Sequence, residues 1–98
     1  MTQTICVVAR VKAKHSRVLE MKEVLIGLLA PTRNEAGCIR YELLENRTDP
    51  CEFTFVEEWR DGESMQAHFT TDHIRKALSR LPELGDGDLD LRQYSRVG

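Results

Sequence analysis

His68 and His73 are two of only three histidines in the 98-residue chain, and they stand five positions apart in its second half. An imidazole with an ordinary pKa of about 6.5 takes up and returns a proton near neutrality, so His68 is the first candidate for a general base. Upstream, Phe53, Phe55, Glu57 and Trp59 alternate with Thr54, Val56 and Glu58. On a strand this puts one carboxylate beside three aromatic rings. Tyr41 alternates with Arg40 in the same way, and only one of the two can face the interior. A base and a carboxylate beside apolar surfaces suit proton transfer in a pocket shielded from water. Each residue also has a plainer reading. His68 can be a hydrogen-bonded core histidine and His73 an exposed first-turn residue; Trp59 can be ordinary packing. Glu57 can be the ion-pair partner of Arg10, Arg40 or Arg60.

The elements that must hold these groups follow from periodicity. Thr4 to Lys12 alternates, with Ile5, Val7, Ala9 and Val11 on one face, which predicts a strand. Val18, Met21, Leu25, Leu28 and Leu29 recur at helical spacing, with Ser16 as N-cap, a kink at Pro31 and Gly37 as the C-terminal cap. Cys38–Glu45 and Glu52–Trp59 read as a hairpin joined through Asn46, Asp49 and Pro50. Asp61 can cap a short helix that carries Met65, His68 and Phe69. Thr71 or Asp72 can cap another, with Ile74, Leu78 and Leu81 on one face and Pro82 at its end. A last strand follows Gly85-Asp86-Gly87. The order β-α-β-β-α-β is the split arrangement of an α+β, ferredoxin-like domain, with helices on one face of an antiparallel sheet; a second subunit is the simplest cover for the other face.

Bulk properties narrow the functions. Ninety-eight residues suit one domain spanning 1–98, and 41% apolar with 31% charged residues is a globular composition. Fourteen basic against sixteen acidic residues leave a formal charge of −2, which offers no general attraction to nucleic acid or to anionic lipid. No run is long and apolar enough for a membrane helix and the start lacks a secretory signal, so the expected location is the cytoplasm. Cys6, Cys38 and Cys51 form no C-x-x-C pair and are expected reduced, Cys6 and Cys38 as small buried hydrophobes. No Gly-rich phosphate loop, H-E-x-x-H or local carboxylate spacing points to nucleotide or metal.

Three stretches carry a resemblance: Glu35-Ala36-Gly37-Cys38-Ile39-Arg40-Tyr41-Glu42-Leu43, then Phe55-Val56-Glu57-Glu58-Trp59, and Ala67-His68-Phe69 leading to His73. Together, with Glu57-x-Trp59 followed nine positions later by His68, they resemble the antibiotic biosynthesis monooxygenase family over nearly the whole chain. The resemblance implies a homodimer of ferredoxin-like subunits, a dimeric α/β barrel. It also implies oxidation of a small quinol or anthrone by dioxygen without metal or flavin. In that reading His68 is catalytic, while Tyr41, Glu57, Trp59, Phe69 and His73 surround the substrate. The family also includes an isomerase of a phosphorylated autoinducer and haem-degrading enzymes, and a ligand-binding domain without catalysis is a third alternative. The haem-degrading pattern of Asn, Trp and His falls here on Ala9, His68 and Leu78. Leu78 cannot ligate iron, which disfavours haem.

Overall fold

The computed structural model describes residues 3–98. Strand β1 (Ile5–Lys12) leads through a 3-10 turn (His15–Arg17) into helices α1 (Val18–Ile26) and α2 (Leu29–Arg33). The hairpin β2 (Cys38–Glu45) and β3 (Glu52–Trp59) follows, then α3 (Gly62–His68), α4 (Asp72–Leu84) and β4 (Asp90–Tyr94). The four strands form one antiparallel sheet in the order β2-β3-β1-β4. This is the α+β ferredoxin-like fold.

Alternation decides which residues meet the helices. Val7, Ala9 and Val11 of β1 and Phe53, Phe55, Glu57 and Trp59 of β3 are all buried on the helix side. Met21, Leu25 and Leu28 from the first helical segment close over them, with Ile74, Ala77 and Leu84 of α4. Register then aligns side chains across the sheet: Tyr41, Glu57 and Val7 form one row, and Leu43, Phe55, Ala9 and Leu91 the next. Burying large apolar side chains contributes roughly 1.5–3 kcal/mol each. The opposite face carries Cys6, Val8 and Val56 among Arg10, Arg40, Glu42, Glu58 and Arg92.

The helix ends differ in part from expectation. Asp61 caps α3, accepting a hydrogen bond from the Ser64 amide at 2.8 Å, and Thr71 rather than Asp72 caps α4. Ser16 caps nothing: it lies inside the 3-10 turn, and α1 starts two residues later. The break in the first helix falls at Gly27-Leu28 instead of at Pro31. Pro31 sits in the first turn of α2, where its missing N–H has no intrahelical acceptor to lose. Pro82 does not end α4, which runs to Leu84; a proline this near the C-terminus costs one bond, and the Gly85 amide still reaches the Leu81 carbonyl at 2.7 Å. Cys6 and Cys38 are only half-buried, and Cys51, beneath the hairpin loop, is the buried cysteine; all three are free.

Gly37 is no helix cap but the pivot of the turn entering β2. Its φ of +89° lies in the left-handed region, and a Cβ there would collide with the Ser64 side chain. Its carbonyl accepts the Arg60 amide at 2.8 Å, which ties the 34–37 bend to the end of β3. Gly37→Ala should therefore destabilise the protein by about 2 kcal/mol or more, combining left-handed strain with the clash. Urea unfolding measures this, and a loss under about 0.5 kcal/mol, the range of neutral surface changes, would contradict it.

Candidate functional site

The centre of the site is His68, the last residue of α3, which is 1% exposed. Its ring is enclosed by aromatics: Trp59 at 4.8 Å between centroids, Phe69 at 5.3 Å and Tyr41 at 5.6 Å. Its Nδ1 lies 2.7 Å from Glu35 Oε2, and His73 Nε2, from the first turn of α4, lies 2.7 Å from the same oxygen. Glu35 sits in the bend between α2 and β2, so three separate parts of the chain converge on one carboxylate.

Burial holds the pKa of His68 below its ordinary value and outweighs the opposing pull of Glu35. A neutral His68 must carry its proton on Nδ1 to satisfy Glu35. That leaves Nε2 with a lone pair, and no hydrogen bond engages it among the described residues. Glu35 thus selects the tautomer in which the second ring nitrogen is a proton acceptor.

Glu57 is 5% exposed and forms no ion pair among the described residues; the Trp59 indole N–H donates to its Oε1 at 2.8 Å. The expected arginine partners are engaged elsewhere, Arg10 with Glu52, Arg40 with Glu42 and Arg60 with Asp61. They lie towards the solvent side of the strands and beyond Trp59, whereas Glu57 points under the helices. Burial, with a smaller push from the charge of Glu35, raises its pKa to about 7, against the stabilising indole bond. Tyr41 stacks on Phe55 at 4.8 Å, and burial followed by the charge of Glu57 pushes its phenol far upward, so it stays protonated.

Beside these groups lies an apolar cavity of about 50 Å³ between the sheet and helices α1 and α4. Tyr41, Phe55, Glu57, His68 and Phe69 line it together with Leu78, Leu81, Leu89 and Leu91; among the described residues no lysine or arginine lines it. The space holds a few atoms in this conformation, so a ligand of two or three fused rings requires the lining to move apart. Of the residues expected around a substrate, Tyr41, Glu57, Phe69 and His68 share the cavity wall. Trp59 lies outside that wall, wholly buried against the His68 ring and holding Glu57. His73 lies beyond Glu35, its side chain 24% exposed. Glu35 itself escaped the sequence reading. It stands 33 residues from His68 and 38 from His73, and the only local sign was its place at the start of the Glu35-to-Leu43 stretch. Glu35, His68 and His73 are also the one mixed donor set among the described residues whose ligand atoms all fall within 4.8 Å.

The raised pKa of Glu57 has a definite sign in stability. Between pH 4.5 and about 7 the folded protein keeps a proton that the unfolded chain has released. The associated stability is full below 4.5 and is lost as pH rises through 7. His68 works in the opposite sense, losing stability as pH falls below 6.5. Glu57→Gln keeps an oxygen for the indole N–H and removes the titration. Its stability relative to the parent should rise by about 2–3 kcal/mol between pH 4.5 and pH 8. Paired urea titrations at the two pH values measure it; a pH-independent difference would show that Glu57 titrates normally.

Comparison with known proteins agrees with this architecture. The Synechocystis protein sll1783 is 30% identical over 92% of this chain, and the match spans 61% of that relative's length. Among solved structures, PA3566 from Pseudomonas aeruginosa superposes with a TM-score of 0.94 at 28% identity, covering 100% of this chain and 98% of that one. SO0527 from Shewanella oneidensis gives 0.91 at 33% identity, covering 98% and 93%. The sequence pattern of the antibiotic biosynthesis monooxygenase family matches residues 4–80, from the first strand to the last turns of α4. Strand faces, buried histidine and family pattern coincide over the same residues, and the chain belongs to the antibiotic biosynthesis monooxygenase family.

Proposed function

We propose that this protein is a cofactor-independent monooxygenase that oxidises a small aromatic quinol or anthrone with dioxygen. The observation that carries the reading is the Glu35–His68 pair at 2.7 Å beside an apolar cavity. Family membership supports the reaction class.

In this mechanism His68 Nε2 accepts the acidic proton of the bound substrate. Glu35 stabilises the imidazolium through Nδ1–H, as a carboxylate does for the histidine of a hydrolase triad. The resulting electron-rich anion passes an electron to dioxygen, and recombination forms a carbon–oxygen bond. For an anthrone methylene, one oxygen atom becomes the carbonyl, the other leaves as water, and both methylene hydrogens depart with it. Tyr41 donates a hydrogen bond to the developing oxyanion, because its phenol remains protonated. Phe55 and Phe69 bound the ring faces, and the apolar wall keeps water from the carbanion. A phosphorylated sugar fits poorly, since no lysine or arginine lines the cavity among the described residues to balance the phosphate. We place the enzyme in the cytoplasm, as a homodimer paired through the outer sheet face on which Val8 and Val56 lie half-exposed.

Two measurements test this. Chelator-treated protein should consume oxygen above autoxidation with at least one member of a panel of reduced quinols and anthrones. His68→Ala should lower kcat by about 10²-fold or more, and Glu35→Gln by about tenfold with the fold intact by circular dichroism. A silent panel would refute the oxygenase reading, and full activity in His68→Ala would remove that residue as base. Sedimentation at micromolar concentration should give twice the chain mass; a monomer would refute pairing through the sheet.

A further inference from the structure

A carboxylate removed from solvent normally meets a lysine or an arginine. Glu35, with a side chain 12% exposed, meets two imidazoles instead. The second buried acid, Glu57, has only the Trp59 N–H, and neither acid pairs with a lysine or arginine among the described residues. The Glu35 carboxylate is therefore met by two imidazole nitrogens and by no fixed cation among the described residues. The three inward atoms of the cluster, Glu35 Oε2, His68 Nδ1 and His73 Nε2, are ones that bind a cation once the protons between them are displaced.

We propose that Glu35, His68 and His73 form a binding site for one divalent transition-metal ion. Two imidazoles and one carboxylate favour Zn²⁺, Co²⁺ or Ni²⁺ over Mg²⁺ and Ca²⁺, which take oxygen ligands. Ligand bonds of about 2.1 Å in a tetrahedron set donor separations of roughly 3.4 Å, so Oε2 has to draw back from each nitrogen by about 0.7 Å from the present 2.7 Å. Glu35 lies on a bend, where a side-chain rotation supplies that movement, and a turn of the partly exposed His73 ring towards His68 brings the two ring nitrogens, now within 4.8 Å, to the same separation. The Thr71 hydroxyl, 3.2 Å from His73 Nε2, already donates to the His68 carbonyl at 2.7 Å and loses little when the ring turns to an ion. His73, one-quarter exposed, is the side from which an ion enters, and three protein ligands leave a fourth position for water.

Occupation has a chemical consequence at His68. An ion on Nδ1 requires a lone pair there, so the ring proton moves to Nε2 and the acceptor becomes a donor. On the reading above, the ion silences the base, whereas the binding itself does not depend on that reading.

The test is Co²⁺ titration of the chelator-treated full chain, followed by equilibrium dialysis and by the visible absorption of histidine-bound Co²⁺. The expected result is one ion per chain, with affinity reduced at least tenfold by His73→Ala and by Glu35→Gln. Because His73 is partly exposed, its replacement leaves the core intact, and far-ultraviolet circular dichroism verifies this for both variants. His15 and Cys51, 3.8 Å apart, are the competing soft pair, so His15→Asn serves as the control and should bind as the parent does. Absence of saturable binding would overturn the proposal. So would binding that survives both Glu35→Gln and His73→Ala, or that is lost in His15→Asn. None of these readouts uses substrate turnover, so they stand apart from the oxygen-uptake result.

Discussion

Glu35 carries a charge that the surrounding sheet and helices cannot solvate, and the positions of both histidines follow from its need for donors. A carboxylate taken from water without partners is penalised by several kcal/mol, and two short N–H bonds offset much of that. Because the donors come from the end of α3 and the start of α4, the carboxylate also fixes the sharp turn between these helices. Thr71 adds to this hinge: its hydroxyl donates to the His68 carbonyl and accepts the Ile74 amide, so one residue ends α3 and starts α4. Glu35 is held in turn from the other side, where the left-handed Gly37 lets the bend pass close to Ser64 and pair with Arg60.

The sheet supplies a second constraint. Period-two alternation on β3 places Phe55, Glu57 and Trp59 on one face, and the antiparallel register sets Tyr41 opposite Glu57. The register slips between Cys38 and Arg40, where β2 carries an extra residue. That irregularity adjoins the Glu35–Gly37 bend, and bulges characteristically re-aim side chains beside functional sites. Low polarity follows from the same arrangement. Aromatic and aliphatic groups that exclude water from Glu57 raise its pKa to about 7, and they depress that of His68. One environment thus disfavours the charged form of both groups, keeping Glu57 protonated to higher pH and His68 neutral to lower pH.

Much of the fold was legible because its signals are local. The strand faces of β1 and β3, the Asp61 cap, the His68 helix and the α4 stripe each depend on residues within a few positions of one another. The errors also have local causes. Ser16 has the right type for a cap, but the chain winds a 3-10 turn through it. Pro31 and Pro82 break helices only in their interiors, and both stand in terminal turns. The site was legible only in part. Tyr41, Glu57, His68 and Phe69 were placed by alternation and by helical spacing, whereas the acid that selects the His68 tautomer was not. Glu35 has no periodic signature, lies on a bend, and acquires its partners only when the hairpin brings the bend against α3 and α4.

That nonlocality explains how one cluster supports two chemistries. With protons on His68 Nδ1 and His73 Nε2, Glu35 is an orienting acceptor and the Nε2 lone pair of His68 is free. With an ion in place of those protons, the same three atoms are ligands and Nε2 carries hydrogen. Both states satisfy the same buried charge, and neither requires the backbone to move. The choice between them depends on what occupies the space between three side chains, not on a change of fold. A rigid sheet and two helices can therefore hold a bistable site, because the soft coordinates are side-chain rotations, of Glu35 on its bend and of the partly exposed His73 ring.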